Sequence, residues 1–315
     1  MSSTARPADL VVVGDASIDH YVQVPHLASS DNKAIGRYSG AFGGGMSANL
    51  SAAAAAEGVR TRLVTKVGTD VDGPAALRVL GDLGVDVSYS VEDATHRTWM
   101  CFVQLDDSGE KALIGADTGI KIPQLAEIDP HALQGARIVA PLADDLVWAT
   151  RVAQRAVDGG AQVAIDLEPD AFGPDDPQLH ALLGLTEYLF LNSASAQKFH
   201  PRSHEKAADA LHDLGPGTVI VSRGEQGAYC SVASGAAFTA HGVADVSVVD
   251  TTGAGDALAG SFLAGVLQGH APETCLRTAV ANATACVTQI GSRTYLSDLS
   301  VAHTTTDRIT IERNR

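Results

Sequence analysis

The sequence predicts an α/β fold: a mostly parallel sheet with helices on both faces, plus a small β-sheet standing off it as a lid. Three observations carry this. Continuous apolar runs of strand length alternate with helix-length segments along most of the chain, the pattern of buried strands joined by helical crossovers. The remaining β-like pieces, at 17–24, 34–42 and 97–115, fall in the first third and read as half-exposed. Two glycine-rich turns, at 43–45 and 253–255, each lead straight into a helix. The 315 residues read as one domain, 1–315, with lid strands drawn from about 17–42 and 97–115.

Residues 1–8 read as a loose tail, and LVVVG (10–14) as a buried strand. YVQV (21–24) alternates, as a strand with one wet face does, and SSDNK (29–33) is a turn or loop. GGGMSANLSAAAAAEG (43–58) is a glycine knot followed by an alanine-rich helix, closed by Gly58 as its C-cap. Side chains that small let a helix lie close to its neighbours. TRLVTKVG (61–68) reads as one strand and GPAALRVLGDLG (73–84) as a helix. Residues 97–115 read as a hairpin turning at DDSG. Strands at 137–142, 162–167, 188–192 and 218–224 then alternate with helices near 144–158, near 177–184 and up to 214. VSVV (246–249) reads as a strand leading into TTGAGD. In the helix beyond, Leu258, Phe262, Leu263, Val266 and Leu267 recur as one face, before a stop at Gly269.

Hydrophobic residues make up 45% of the chain and charged ones 19%, which describes a globular protein with a sizeable core. The net charge of −15 argues against nucleic acid or an anionic membrane as partner. A bound nucleotide remains compatible, because a few backbone donors suffice for phosphates. The four cysteines are scattered without metal spacing, which points to a reducing, cytoplasmic setting. No apolar run reaches about 20 residues, and MSSTARPADL lacks the apolar segment of a signal peptide.

The chemistry concentrates in VVDTTGAGDALAGSFLAG (248–265). Gly253, Ala254 and Gly255 fall at a helix N-terminus, whose first N–H groups have no intrahelical partner and attract anions. Asp256, in the first turn, would repel a bound phosphate. It becomes useful if it takes a proton from an incoming hydroxyl while the amides hold the transferring phosphoryl group. The plainer reading makes Asp256 a helix-dipole residue worth about 0.3–1 kcal/mol. A dinucleotide fingerprint fails on spacing, since Leu258 stands where the third glycine belongs.

VDTTGAGDALAGSFLAG resembles the C-terminal signature of the ribokinase-like (PfkB) carbohydrate kinases, and GGGMSANLSAAAAAEG resembles their N-terminal signature. KVGTDVDGPAALRVLGDLGVDV is similar to the family's G-x-D-x-x-G helix and the G-V-D after it, so the resemblance spans about residues 10–297. It implies a ribokinase-like fold with ATP, Mg²⁺ and a small sugar as ligands. Asp256 would be the catalytic base, with Gly253, Ala254 and Gly255 as the anion hole. Asp19, Gly44, Gly45 and Asn49 would contact the sugar. Asn192, Ser222, Gly224, Gly227 and Asn282 would contact the nucleotide. Asp250 and Thr252 match a monovalent-cation site, potassium in many members. Asp166, at the end of QVAID, becomes a candidate for ordering magnesium or water at the carboxyl edge of the sheet.

Two departures from the family pattern stand out. Ser195 replaces the glutamate of an N-x-x-E motif that begins at Asn192, and Met46 replaces the lysine that ribokinases proper carry after the glycine pair. The first puts free-magnesium dependence in question and the second ribose specificity. Trp99 and Phe102 read as lid packing or substrate stacking, and Lys33 and Arg37 as solvated cations or contacts to a phosphorylated sugar. A nucleoside kinase and a non-catalytic sugar-binding regulator stay open as rival readings. Pairing of lid edges between subunits would make a homodimer.

Overall fold

The computed structural model describes residues 7–107, 111–169 and 172–314. Most of the expected tail and the hairpin tip at 108–110 lie outside these residues. The chain begins β1 (Leu10–Val13), β2 (Ser17–Val24), β3 (Arg37–Gly44), α1 (Met46–Ala56), β4 (Thr61–Val64) and β5 (Lys66–Gly68). It continues α2 (Asp72–Asp82), β6 (Val91–Asp93), β7 (Met100–Asp106), β8 (Lys111–Ala116), β9 (Ile138–Pro141) and α3 (Leu146–Asp158). Next come β10 (Gln162–Leu167), α4 (Pro177–Leu183), β11 (Tyr188–Asn192), α5 (Ser193–Phe199), α6 (His204–His212) and β12 (Thr218–Ser222). It closes with β13 (Ala228–Val232), β14 (Ala237–Ala240), α7 (Ala254–Leu267), α8 (Pro272–Cys286), α9 (Ser300–Thr306) and β15 (Ile311–Arg313).

The main sheet has the order β15-β14-β13-β12-β11-β10-β9-β1-β4. It is parallel from β4 to β12 and antiparallel beyond. Strands buried on both faces explain the unbroken apolar runs. Within β1, Val11 and Val13 enter the core shared with Val152 of α3 and Leu179 of α4. Leu10 and Val12 enter the opposite core, with Phe262 of α7 and Leu276 of α8. Each such burial contributes about 1.5–3 kcal/mol before entropy is counted. β1 has β4 on one side and β9 on the other, so the strand order reverses there and a crevice opens at the carboxyl ends. The second sheet, β3-β2-β7-β8, is the expected lid.

Four expectations need correction. Residues 61–68 are two strands, not one: β1 ends at Val13, opposite Val64, and β5 leaves to pair with β6. Residues 246–249 are no strand. The Val249 N–H donates to the Val287 carbonyl at the end of α8, and Val248 is exposed. α7 is buried on nearly every side rather than on one face, because α1, α8 and the sheet enclose it. The antiparallel strands β13, β14 and β15 were not anticipated.

The helices around the site differ in how they begin. Asp145, Asp176, Asn192 and Ser203 cap α3, α4, α5 and α6 with their side chains. α1 and α7 start from Gly45 and Gly253, which supply no such cap. α1 and α7 also pack closely, as the alanine run anticipates. A Cβ on Gly260 would lie 2.4 Å from the Leu50 carbonyl oxygen and 2.8 Å from the Ala53 Cβ.

Candidate active site

A cleft of about 570 Å³ opens where the carboxyl ends of β1, β10, β11 and β12 meet the starts of α1 and α7, under the lid. On its acceptor side, Gly45 takes φ +94°, and a Cβ there would press on Ala16 Cα at 2.8 Å. The tight turn lets the Asp15 carboxylate accept from the Ser47 N–H at 2.9 Å, capping α1 from the neighbouring strand end. Asp19 accepts from the Ser17 hydroxyl at 2.7 Å. Gly44 does not line the cleft: a Cβ on it would fall 2.1 Å from an Asp19 carboxylate oxygen. It leaves room for the acid rather than for a sugar ring. Burial pushes both carboxyls above their ordinary range, Asp19 against the pull of the Ser17 bond and Arg293.

On the donor side, Gly253 is left-handed at φ +81° and opens α7. Ala254 N–H has only a long 3.5 Å contact to the Thr251 carbonyl, and neither the Gly255 nor the Asp256 N–H finds an acceptor among the described residues. The Gly253 N–H likewise finds no acceptor among the described residues, so the free donors cover the expected 253–255 stretch and run on to 256, while Ala254 does not line the cleft. A Cβ on Gly255 would meet nothing within 4 Å. Space for an anion lies in front of it.

Asp256 is buried, at 8% exposure, and accepts from Asn49 Nδ2 at 2.8 Å. Burial holds its carboxyl well above the usual range, the Asn49 bond pulls the other way, and Asp166, Asp15 and Glu168 add to the rise. Asp166 is pushed up to about 7 by burial and by Glu168.

Asn192 and Ser222 line the cleft as register partners on β11 and β12. Ser195 is fully buried beneath them and donates to the Leu167 carbonyl at 2.9 Å. It ties α5 to β10 and presents nothing to the cleft. Three nucleotide candidates are not brought to the wall. Gly224 and Gly227 form the β12–β13 turn, where Gly227 has φ +86° and its missing Cβ clears the Ala240 carbonyl. Asn282 is 2% exposed inside α8 and donates to Glu57 Oε1 at 2.9 Å and to the Thr278 carbonyl at 3.1 Å. That bonding joins α8 to the end of α1 and turns the amide away from the cleft. Thr252 lines the wall, and Asp250 lies buried behind it, accepting from the Thr252 N–H and hydroxyl and from the Gly291 N–H at 3.0 Å.

Several polar groups on the cleft wall were not among the sequence candidates. Asp15 and Glu168 lie just past the carboxyl ends of β1 and β10, a placement that could have found them in the sequence. Lys111 reaches from β8 to the Thr252 hydroxyl at 3.1 Å. Lys121 bonds Asp144 and lies 5.2 Å from the Trp99 ring centre. Trp99 lines the cleft, whereas Phe102, 44% exposed, faces outward from the lid. Arg37 bonds Gln23 within the lid, away from the cleft. No helix among the described residues is long and apolar enough to cross a membrane.

An open α/β sheet with free backbone N–H donors and a buried acid at its carboxyl edge is the layout of a small-molecule kinase. The profile of the pfkB family of carbohydrate kinases matches residues 7–299, and the chain belongs to that family. It is thus a phosphotransferase with an alcohol group as acceptor. The chain is similar to a ribokinase of Haemophilus influenzae, 25% identical over 296 residues, covering 91% of this chain and 94% of the other. It is also similar to a cytidine kinase of Thermococcus kodakarensis, 29% identical over 279 residues, with coverages of 85% and 92%. Among solved structures, that of Arabidopsis thaliana ribokinase complexed with ribose and ATP matches with a TM-score of 0.79 at 26% identity, covering 96% of this chain and 99% of that one.

Proposed function

We propose that the chain transfers the γ-phosphoryl group of ATP to a hydroxyl of a small sugar or sugar derivative. One observation carries this reading: a buried acid with a raised pKa lies beside free N–H donors at the mouth of α7. Asp19, Gly45 and Asn49 would hold the acceptor, whose hydroxyl faces Asp256. Asp256 takes the hydroxyl proton as the oxygen attacks in line, and a carboxyl held above its ordinary range by burial is the stronger base for that role. The Gly253, Gly255 and Asp256 amides, at the positive end of the α7 dipole, take up charge on the transferring group. Asn192 and Ser222 would face the nucleotide. Lid closure would exclude water and limit wasteful hydrolysis of ATP.

Asp166, Glu168 and Asn192 fit a nucleotide-borne Mg²⁺. They offer hard oxygen ligands on one wall, and no cluster of three or more metal ligands exists among the described residues. Such an ion is held mainly by phosphate oxygens and water. When bound it neutralises phosphate charge. Glu168 would supply the carboxylate that Ser195 lacks. Asp250 and Thr252 would be the place for a monovalent cation.

A nucleoside acceptor is the second reading, favoured by Trp99 on the cleft wall and by the cytidine kinase relative. ADP release with ribose, fructose, aminosugars, inositols and nucleosides decides between them. Release with none of these would refute both. We also propose a homodimer through the lid. Its outer face carries exposed Tyr38, Phe102 and Ile114, with His20 stacked 5.5 Å from Phe102, and β3 and β8 leave open edges. A monomer in sedimentation at micromolar concentration would contradict it.

A further inference from the structure

Arg293 follows α8 in GSRTYLS and is 7% exposed. Its Nε donates to Asn49 Oδ1 at 2.9 Å, and its Nη2 donates to the Gly44 carbonyl at 2.6 Å. Nη1 has no partner among the described residues. Burial lowers its pKa to about 10, against the hold of Asp19, Asp15 and Asp256. A cation this deep is costly, and a well-packed apolar residue often serves stability better. The geometry points to a different purpose.

A carboxamide carries an acceptor at one end and a donor at the other, whereas a guanidinium only donates. Bonding to Arg293 therefore fixes which end of Asn49 is which. Oδ1 must face Arg293, so Nδ2 must face Asp256, as observed. With the amide reversed, an oxygen would face the carboxylate and repel it. We infer that Arg293 is a positioning residue, which acts through Asn49 to hold the Asp256 carboxylate in place and ionisable. This rests on the reading of Asp256 as the base. The guanidinium fork also explains Gly43, where a Cβ would fall 2.8 Å from Nη2.

The test compares Arg293→Met and Arg293→Lys with wild type in the full chain. The assay is ADP release from ATP with ribose, fructose or cytidine, whichever wild type uses. Arg293→Met should lower kcat about 100-fold with KM for ATP unchanged, and the acid limb of the kcat profile should move to higher pH. Arg293→Lys keeps the charge but cannot fork to both oxygens, so it should recover little of the loss. Full recovery by lysine would mean that charge alone matters, and would overturn the inference.

A readout without turnover separates this from the kinase reading. Melting temperature against pH is measured for wild type, Arg293→Met, Asp256→Asn and the double variant. Asp256 is faced by Asn49, Asp15, Asp166 and Glu168, and lies near Cys286 and Tyr295. Contributions of these groups that do not depend on both mutated residues cancel in the cycle. The inference expects a coupling between Arg293 and Asp256 that grows as pH rises. A residue that merely bolts its loop to Gly44 gives no coupling at any pH, and that result sinks the inference even if the chain is a kinase. If no acceptor is turned over but the coupling appears, the kinase reading fails and the positioning stands.

Discussion

Replacing Asp256 with Asn separates the chemistry from the fold. The amide has nearly the shape of the carboxyl, and its oxygen can still accept from Asn49 Nδ2, now 2.8 Å from Asp256 Oδ2. The protein loses a proton acceptor and little else. A positioned general base contributes about 10²- to 10⁴-fold, or roughly 3–5 kcal/mol at 1.36 kcal/mol per decade. Asp256→Asn should therefore lower kcat by that factor in a coupled assay of ADP release, with KM for ATP little changed. Stability should move the other way. The wild-type carboxyl has a folded pKa above its unfolded value, so the folded state binds the extra proton and loses stability as pH rises through that folded pKa. The asparagine carries no such penalty, so the variant should melt at the same temperature as wild type in acid and higher at pH 8. Turnover within threefold of wild type would remove Asp256 from the mechanism, whatever the melting curves show.

Gly255→Ala adds a methyl that meets no protein atom within 4 Å, so folding should be unharmed or slightly favoured. The methyl enters the space before the free amides, and kcat should fall about 10- to 100-fold. An unchanged kcat in the same assay would mean that no phosphoryl group passes there. Asp166→Asn tests the buried acid on the cleft wall. With a folded pKa of about 7 against 3.8 unfolded, wild type loses stability as pH rises between those values, by a few kcal/mol at most. Thermal melts should show the variant gaining at pH 8 and nothing at pH 3.5, and a gain independent of pH would contradict this. Gly260→Val should cost about 1–3 kcal/mol in urea unfolding, because its side chain collides with Leu50 and Ala53. A neutral result would show that α1 and α7 can part.

The central strands were legible because burial on both faces leaves no polar alternation, as in LVVV and YLFL. β13 to β15 were not, since AYCSV and AFTA are short runs of small and mixed residues. VSVV misled because a short valine-rich run also suits a segment outside any sheet, here tied to the end of α8 through the Val249 and Asp250 N–H groups. At the site, Asp256 and the glycines before it could be read because one helix start holds them all. The rest depends on distant parts of the chain. Arg293 lies 244 residues from Asn49, and no local pattern announces a contact of that kind. Asn282 and Gly224 sat within recognisable sequence surroundings, yet the backbone turns them elsewhere.

The tight meeting of α1 and α7 at Gly260 has a mechanical meaning. On the proposed mechanism one helix would carry Asn49 toward the acceptor and the other would carry Asp256 and the amides toward the phosphate, and the two are wedged closely together. The distance between the two proposed half-sites would thereby be set when the chain folds, before any ligand arrives. Any opening and shutting would then fall to the four-stranded flap, so mutations that alter the speed of the catalytic cycle without touching the proposed reacting groups would belong where it joins the main sheet, at Gly14–Ala16.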